Sequence, residues 1–320
     1  MNKILVKAED VKKYYSVKNK NTLRALDGVS LEIYEEEILG VVGESGCGKS
    51  TLGKCLMKLT NITAGKITAF GKDLEGVTGK EEKELRKHMQ MVFQNPFSSF
   101  NPKYSIGKSM SMVAQFYGLS GQQSAKRMEE LMKVVGLDKS VLTRMPTELS
   151  GGQLQRVAIA RALIAKPEFI LADEPVSALD VSVQAQILNL LLDLRKNYGQ
   201  TLVFISHDLP VVEHICDRVV VMYLGSILEM GCAEDLFTNP LHPYTKALLA
   251  AKPKENPDVV KVEFVLNGDV PNAMEMPSGC KFHTRCPYAR EGVCDCKVPE
   301  WKEITEGHFA ACHFVEQQKQ

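Results

Sequence analysis

One eight-residue stretch constrains this chain more than any other: Gly43-Glu44-Ser45-Gly46-Cys47-Gly48-Lys49-Ser50. It follows an apolar run ending at Val42 and opens a helical pattern at Lys49. That is the strand–loop–helix setting in which the spacing GxxxxGK[ST] cradles phosphate. Glycines let successive backbone N–H groups turn toward phosphate oxygens, and the helix N-terminus adds the positive end of its dipole. Lys49 is placed to reach β and γ phosphates and the Ser50 hydroxyl to ligate Mg²⁺. With Thr51 the nucleotide-contacting candidates run without a break from Gly43 to Thr51. The bland alternative is a chance glycine-rich turn, and the flanking strand and helix weigh against it.

Apolar, strand-like runs at Ile38 to Val42, Met89 to Phe93, Phe169 to Ala172, Thr201 to Ile205 and Arg218 to Met222 alternate with helical patterns. The helical stretches are Lys49 to Leu59, Gln122 to Val135, Gly152 to Ala165 and Val183 to Lys196. Such alternation predicts an α/β layer fold with a largely parallel sheet. One strand, Phe169 to Ala172, ends in Asp173-Glu174, which places two carboxylates beside the crevice of an open α/β sheet. Asp173 is the candidate Mg²⁺ partner, and Glu174 is placed to polarise or deprotonate an attacking water. Alone the pair could equally be solvated loop charges; the phosphate loop tips the balance.

Composition narrows the partners. Lys plus Arg (39) balance Asp plus Glu (39), which gives no support for nucleic-acid binding through bulk charge. No apolar run approaches the ~20 residues that span a bilayer, and the start Met1-Asn2-Lys3-Ile4 lacks a signal-peptide stretch. A cytosolic location is therefore expected, with any membrane role reached through a partner. Five of nine cysteines, Cys280, Cys286, Cys294, Cys296 and Cys312, crowd into the tail; in a reducing compartment such a group reads as metal-binding or catalytic before disulfide-bonded. The polar, Pro-broken stretch from Ala251 to Pro257 marks a boundary. It divides the chain into residues 1–251 and a tail of 252–320, in which Val259 to Leu266 reads as one short strand.

Between the loop and the acidic pair lies Leu149-Ser150-Gly151-Gly152-Gln153. With this pentapeptide the chain resembles the ATP-binding cassette ATPases, over residues ~4 to ~250, with the motifs in family order. The resemblance implies a P-loop NTPase domain of ABC type, with a helical signature subdomain and a small Cys-rich C-terminal extension. It also implies two cassettes packed head to tail around two ATP molecules, the signature of each facing the phosphate loop of the other. Ser150 could then donate its hydroxyl to the γ-phosphate, while Gly151 and Gly152 expose N–H groups at a helix start. Gln94 matches the glutamine that senses Mg²⁺ and water, and His207 the switch histidine that contacts the γ-phosphate and orients Glu174. Asp180, in Ser177-Ala178-Leu179-Asp180, matches the segment linking the two sites across the dimer. Tyr15 aligns best with the aromatic that stacks on adenine, with Tyr14 the neighbouring alternative and a plain strand-edge aromatic the bland one. Cys47 stands where Ser is common, but the role there belongs to the backbone.

Two further stretches resemble the oligopeptide/dipeptide permease branch. Asn95-Pro96-Phe97-Ser98-Ser99-Phe100-Asn101-Pro102 is similar to the segment that docks the coupling helix of a membrane subunit, unless Phe97 and Phe100 only anchor a loop into the core. Asn239 to Thr245 looks like the HPYT element of that branch. The branch implies an F-type subunit paired with a sister D-type ATPase beneath two transmembrane permease subunits, served by an extracellular or periplasmic solute-binding protein, at the cytoplasmic face of the membrane. In some members four tail cysteines hold a [4Fe–4S] cluster; the resemblance assigns Cys280, Cys286, Cys294 and Cys312, with Cys296 the rival for Cys294. Structural zinc and free thiols are the alternatives. Import of peptides is the leading function, a nickel or other small-solute importer the runner-up, and a soluble cassette ATPase or an iron–sulfur protein with a regulatory cassette the readings from other classes.

Overall fold

The computed structural model describes residues 3–17, 22–177, 179–251 and 269–315. The strand expected over Val259 to Leu266 and Ala178 of the linking segment lie outside the described residues. Along the chain the elements begin with β1 (Ile4–Ser16), β2 (Thr22–Tyr34), β3 (Ile38–Val42), α1 (Lys49–Leu56), β4 (Ala64–Ala69), β5 (Lys72–Asp73) and α2 (Gly79–His88). Next come β6 (Met89–Val92), α3 (Ile106–Phe116), α4 (Gly121–Val134), α5 (Gly151–Ala162), β7 (Phe169–Asp173), α6 (Val181–Tyr198) and β8 (Thr201–Ile205). The chain closes with α7 (Leu209–Ile215), β9 (Arg218–Tyr223), β10 (Ser226–Cys232), α8 (Ala233–Thr238), α9 (Pro243–Ala250), β11 (Lys302–Thr305) and β12 (His308–Ala310).

These elements group into two compact units. One comprises Met1–Lys3, Tyr34–Ile38 and Gly76–Ile205, and the other Ile4–Ile33, Leu39–Glu75 and Ser206–Gln320. In the first, β6, β7 and β8 pair parallel in that order, Met89 opposite Phe169 and Phe169 opposite Thr201. Every residue of β7 and β8 is buried. That is why they read as continuous apolar runs rather than as alternating ones. Helix α6 starts on the Asp180 side chain and stops where Gly199 turns into the left-handed region at φ 62°. Its buried stripe is Ile187, Leu188, Leu190, Leu191 and Leu194.

In the other unit β2, β1, β4 and β5 form one sheet, in that order. A second set of strands runs β11, β12, β10, β9, β3. Only β3 and β9 pair parallel there; β9–β10, β10–β12 and β11–β12 are antiparallel. The expected parallel pairing therefore holds in the middle of the chain and ends at β9. The tail adds its two short strands, β11 and β12, beyond β10. Element ends moved by a few residues from the sequence reading. The α1 helix stops at Leu56 rather than Leu59, and α5 at Ala162, continued by a 3₁₀ turn to Ala165. Among the described residues no helix is long and apolar enough to cross a membrane.

Candidate functional site

The phosphate loop joins β3 to α1. Gly43, Gly46 and Gly48 all have positive φ, at 150°, 80° and 106°. For two of them space is as restrictive as the dihedral. A Cβ on Gly43 would stand 2.2 Å from the Met222 carbonyl oxygen, and one on Gly48 would stand 2.4 Å from that of Ala25. Gly46, at the open tip, meets nothing within 4 Å and is required only by its backbone conformation. Lys49 is buried, and its ammonium donates to the carbonyls of Gly43 at 2.7 Å and Glu44 at 3.0 Å. The loop thus holds its lysine from inside. The Cys47 carbonyl accepts from Gly225 N–H at 2.9 Å. Its thiol is buried, and burial pushes its pKa up, in keeping with a main-chain role for this position. Ser45 is exposed, and Ser50 and Thr51 are half-buried in the first turn of α1.

The same unit carries Tyr14, Tyr15 and His207. Tyr14 donates its hydroxyl to Asp27 Oδ1 at 2.6 Å, and burial followed by that bond pushes its pKa up to about 12. Tyr15 is exposed, with the Lys13 ammonium 4.8 Å from its ring centroid. Of the two candidates for stacking on a base, Tyr15 is the more exposed. His207 is exposed just before α7, and Asp208 caps that helix through Val211 N–H at 3.4 Å.

In the other unit the structure brings together two residues that the sequence placed 80 positions apart. Gln94 Nε2–H donates to Glu174 Oε2 at 2.8 Å. Glu174 is a non-glycine residue at φ 46°, a conformation that costs about 1–3 kcal/mol and collects at functional sites. Its N–H donates to the Ile205 carbonyl at 2.9 Å. Strand β8 therefore fixes the strained turn, and Gln94 orients the carboxylate. Asp173, the residue before it, is buried at the end of β7 opposite Ile205.

Ser150 is the N-cap of α5 and forms a reciprocal box with Gln153. The Ser150 oxygen accepts from Gln153 N–H at 3.3 Å, and Gln153 Oε1 accepts from Ser150 N–H at 3.1 Å. The sequence reading gave Gly151 and Gly152 one role, and the structure separates them. A Cβ on Gly152 would sit 2.3 Å from Val183 Cγ1, so this buried glycine lets α5 lie against α6; on Gly151 the nearest contact, Leu179 Cδ2, is an ordinary 3.4 Å. Asp180 caps α6, accepting from Val183 N–H at 3.0 Å and from the Ser182 hydroxyl at 2.7 Å, and these bonds, Ser182 first, lower its pKa.

The docking candidates split likewise: Phe97 is 47% exposed, whereas Phe100 is buried. Phe100 is thus the core anchor and Phe97 the surface aromatic. Sequence reasoning missed Arg161, which stacks its guanidinium 4.2 Å from the Phe100 ring centroid and donates to the Ser99 carbonyl. Burial lowers its pKa to about 10. The residue ties the signature helix α5 to the Phe97–Phe100 segment, and nothing in its sequence neighbourhood marks it.

In the tail, Cys280, Cys286, Cys294 and Cys312 line one small cavity, together with His242, His283, His313, Phe282 and Phe314. Cys296 is exposed and is not part of that lining. Backbone N–H groups of Phe282, Tyr288 and Phe314 hydrogen-bond the sulfurs of Cys280, Cys286 and Cys312, each from two residues downstream. Burial pushes the Cys280 thiol up to about 12 and that of Cys286 up to about 11. No three Cys, His, Asp or Glu side chains among the described residues are disposed to hold a single metal ion.

Comparison with known proteins sets these features in context. The ABC transporter family model matches residues 26–177, and the model for the oligopeptide/dipeptide transporter C-terminal region matches residues 228–294. The chain is 47% identical to the oligopeptide transport ATP-binding protein OppF of Salmonella typhimurium, covering 96% of this chain and 94% of the relative. It is 44% identical to the oligopeptide transport ATP-binding protein AppF of Bacillus subtilis, covering 97% of each. It is 45% identical to a putative peptide import ATP-binding protein of Brucella ovis, covering 96% of this chain and 97% of the relative. Among solved structures, the dimeric ATP-binding cassette MJ0796 bound to ADP and Pi superposes with a TM-score of 0.66 at 31% identity, over 72% of this chain and 99% of the other. The cassette cbiO1 of Clostridium perfringens does so with a TM-score of 0.66 at 28% identity, over 74% of this chain and 91% of the other.

Proposed function

The chain belongs to the ATP-binding cassette transporter family, and on that premise we propose that it is the ATP-hydrolysing subunit that energises import of oligopeptides or dipeptides. One observation carries the substrate class. Identity of 44–47% to ATP-binding proteins named for oligopeptide transport runs through nearly the whole length, tail included. Residues 1–251 form the ATPase domain in this reading and 252–320 the branch-specific extension. Two permease subunits, a sister D-type cassette and a solute-binding protein complete the complex at the cytoplasmic face of the membrane. The exposed Phe97 and the neighbouring Arg161–Ser99 bond support a docking role for this segment.

The residue roles follow from the family resemblance together with the chemistry of each side chain. Main-chain N–H groups of Gly43 to Thr51 and the Lys49 ammonium bind the phosphates, and Tyr15 stacks on the adenine. Ser150, Gly151, Gln153 and Asp180 serve the partner cassette's nucleotide, while Gly152 adds only its main-chain N–H and keeps α5 against α6. The family resemblance assigns Ser50, Gln94 and Asp173 to Mg²⁺, and each carries an oxygen donor of the kind a hard cation takes. Mg²⁺ held by them would neutralise charge on the phosphates. Glu174 takes the proton of the attacking water while Gln94 keeps its carboxylate oriented, and His207 responds to the γ-phosphate. Closure of the paired cassettes on ATP, and reopening after hydrolysis, would drive the permease.

Four cysteines around one cavity, a cage of thiols, are the observation behind a further proposed cofactor, a [4Fe–4S] cluster. The donor set is four thiols around one cavity, with main-chain N–H groups on three of the sulfurs, a pattern that suits cluster thiolates. Cys280, Cys286, Cys294 and Cys312 would hold it, and it would cross-link a tail with little apolar core.

Anaerobic co-purification of the tagged chain from its native membranes tests the reading. It predicts recovery of two permease proteins, a sister ATPase and ~4 Fe per chain. The chain recovered alone, or with ribosomes and without iron, would remove both the import assignment and the cluster.

A further inference from the structure

The second position of the phosphate loop poses an electrostatic problem. Glu44 puts a carboxylate in a loop built to hold anions, where it would repel the phosphates. The structure answers it from the tail. Arg285 is buried and donates to both carboxylate oxygens of Glu44, Nη1 to Oε2 at 2.7 Å and Nη2 to Oε1 at 3.1 Å. This is a bidentate, charge-assisted pair. The Glu44 N–H is held as well, donating to the Tyr244 hydroxyl at 2.9 Å.

The segment that carries Arg285 is itself fixed. Phe282 packs edge-on to Tyr223 with ring centroids 5.4 Å apart and lies 5.3 Å from Tyr244. Lys281 donates to Asp27 Oδ2 at 2.9 Å and to the Ser226 hydroxyl at 2.7 Å. This turn is bounded by Cys280 and Cys286, two thiols of the cage.

We propose that Arg285 is a positioning residue for nucleotide binding. It pairs with the Glu44 carboxylate, cancels its charge and holds the outer wall of the phosphate loop, so that the tail sets the affinity of the loop for the phosphates. The inference rests on the reading of Gly43 to Ser50 as the ATP site.

The test is equilibrium binding of MgATP to the full chain, purified without oxygen, in parent and variants. Arg285→Ala leaves Glu44 charged and unpaired, and the expected dissociation constant rises about tenfold. Adding Glu44→Gln to Arg285→Ala removes the stranded charge and should bring affinity back to within about threefold of the parent. A role limited to folding the tail would not show that rescue. Unchanged affinity in Arg285→Ala, or equal weakening with and without Glu44→Gln, overturns the proposal. Lys49→Ala serves as the control for the ATP site. If parent and Lys49→Ala bind MgATP alike, or the parent does not bind it, the site reading falls and the proposal with it.

Discussion

The phosphate loop and the cysteine cage belong to the same compact unit, and both are turns wrapped around a small space, yet different parts of the chain line that space. In the loop the main chain does the holding. Two glycines fit where any side chain would collide with a carbonyl oxygen, and the buried lysine is tied to carbonyls of the loop itself. Around the cage the side chains converge: four thiols from Cys280 to Cys312 line one cavity, and with the proposed cluster bound they would do the holding. A backbone-held turn tolerates changes at its tip and none at its glycines. A turn cross-linked by a cluster would tolerate backbone variation but not loss of a ligand. Arg285 and Glu44 are where the two devices meet.

The contrast breaks first at the loop. Gly48→Ala adds a Cβ 2.4 Å from a carbonyl oxygen at φ 106°. MgATP binding should weaken about a hundredfold, the equivalent of about 3 kcal/mol. Ser45→Ala, at the exposed tip, should change it little. Titration with a fluorescent nucleotide reads both, and equal effects would erase the distinction. The cage breaks next: Cys280→Ser should take iron from about four per chain to less than one, whereas Cys296→Ser should leave it intact. Loss of iron in both, or in neither, would refute the assignment of ligands.

Two smaller effects sharpen the comparison. Tyr15→Ala removes the side chain proposed to stack on the adenine and should weaken ATP binding about tenfold, in line with stacking on a base. Tyr14→Phe, which loses only the bond to Asp27, should not weaken it. In the signature helix, Gly152→Ala forces a methyl 2.3 Å from Val183 Cγ1 and should cost about 1–3 kcal/mol of stability by thermal melting. Val183→Ala should restore it, and Gly151→Ala should be nearly neutral.

What the sequence revealed follows the same division. The phosphate loop, the acidic pair and the buried strands were legible because each depends on neighbours in the chain, as in the five buried residues of β7; the helix cap at Asp180 was not read. Resemblance already favoured Cys294 over Cys296 and Tyr15 over Tyr14, and the structure adds that Cys294 is buried and Cys296 exposed, and that Tyr15 is more exposed than Tyr14. Phe97 and Phe100 looked equivalent until burial separated them. Arg161 and Arg285 were invisible as partners because Ser99 and Glu44 lie 62 and 241 positions away, and only the fold brings such residues within reach. The antiparallel strands β11 and β12 went unread because each is only a few residues long and pairs across a turn in a Cys-rich tail.

The most direct test of the central claim is phosphate release by the assembled complex in vesicles, with and without peptide-loaded binding protein, for the parent chain and for Glu174→Gln. The account predicts hydrolysis stimulated by peptide in the parent. It predicts a fall of about 10²–10⁴-fold in Glu174→Gln with ATP still bound. Near-parental turnover in Glu174→Gln, or hydrolysis indifferent to peptide, would contradict it.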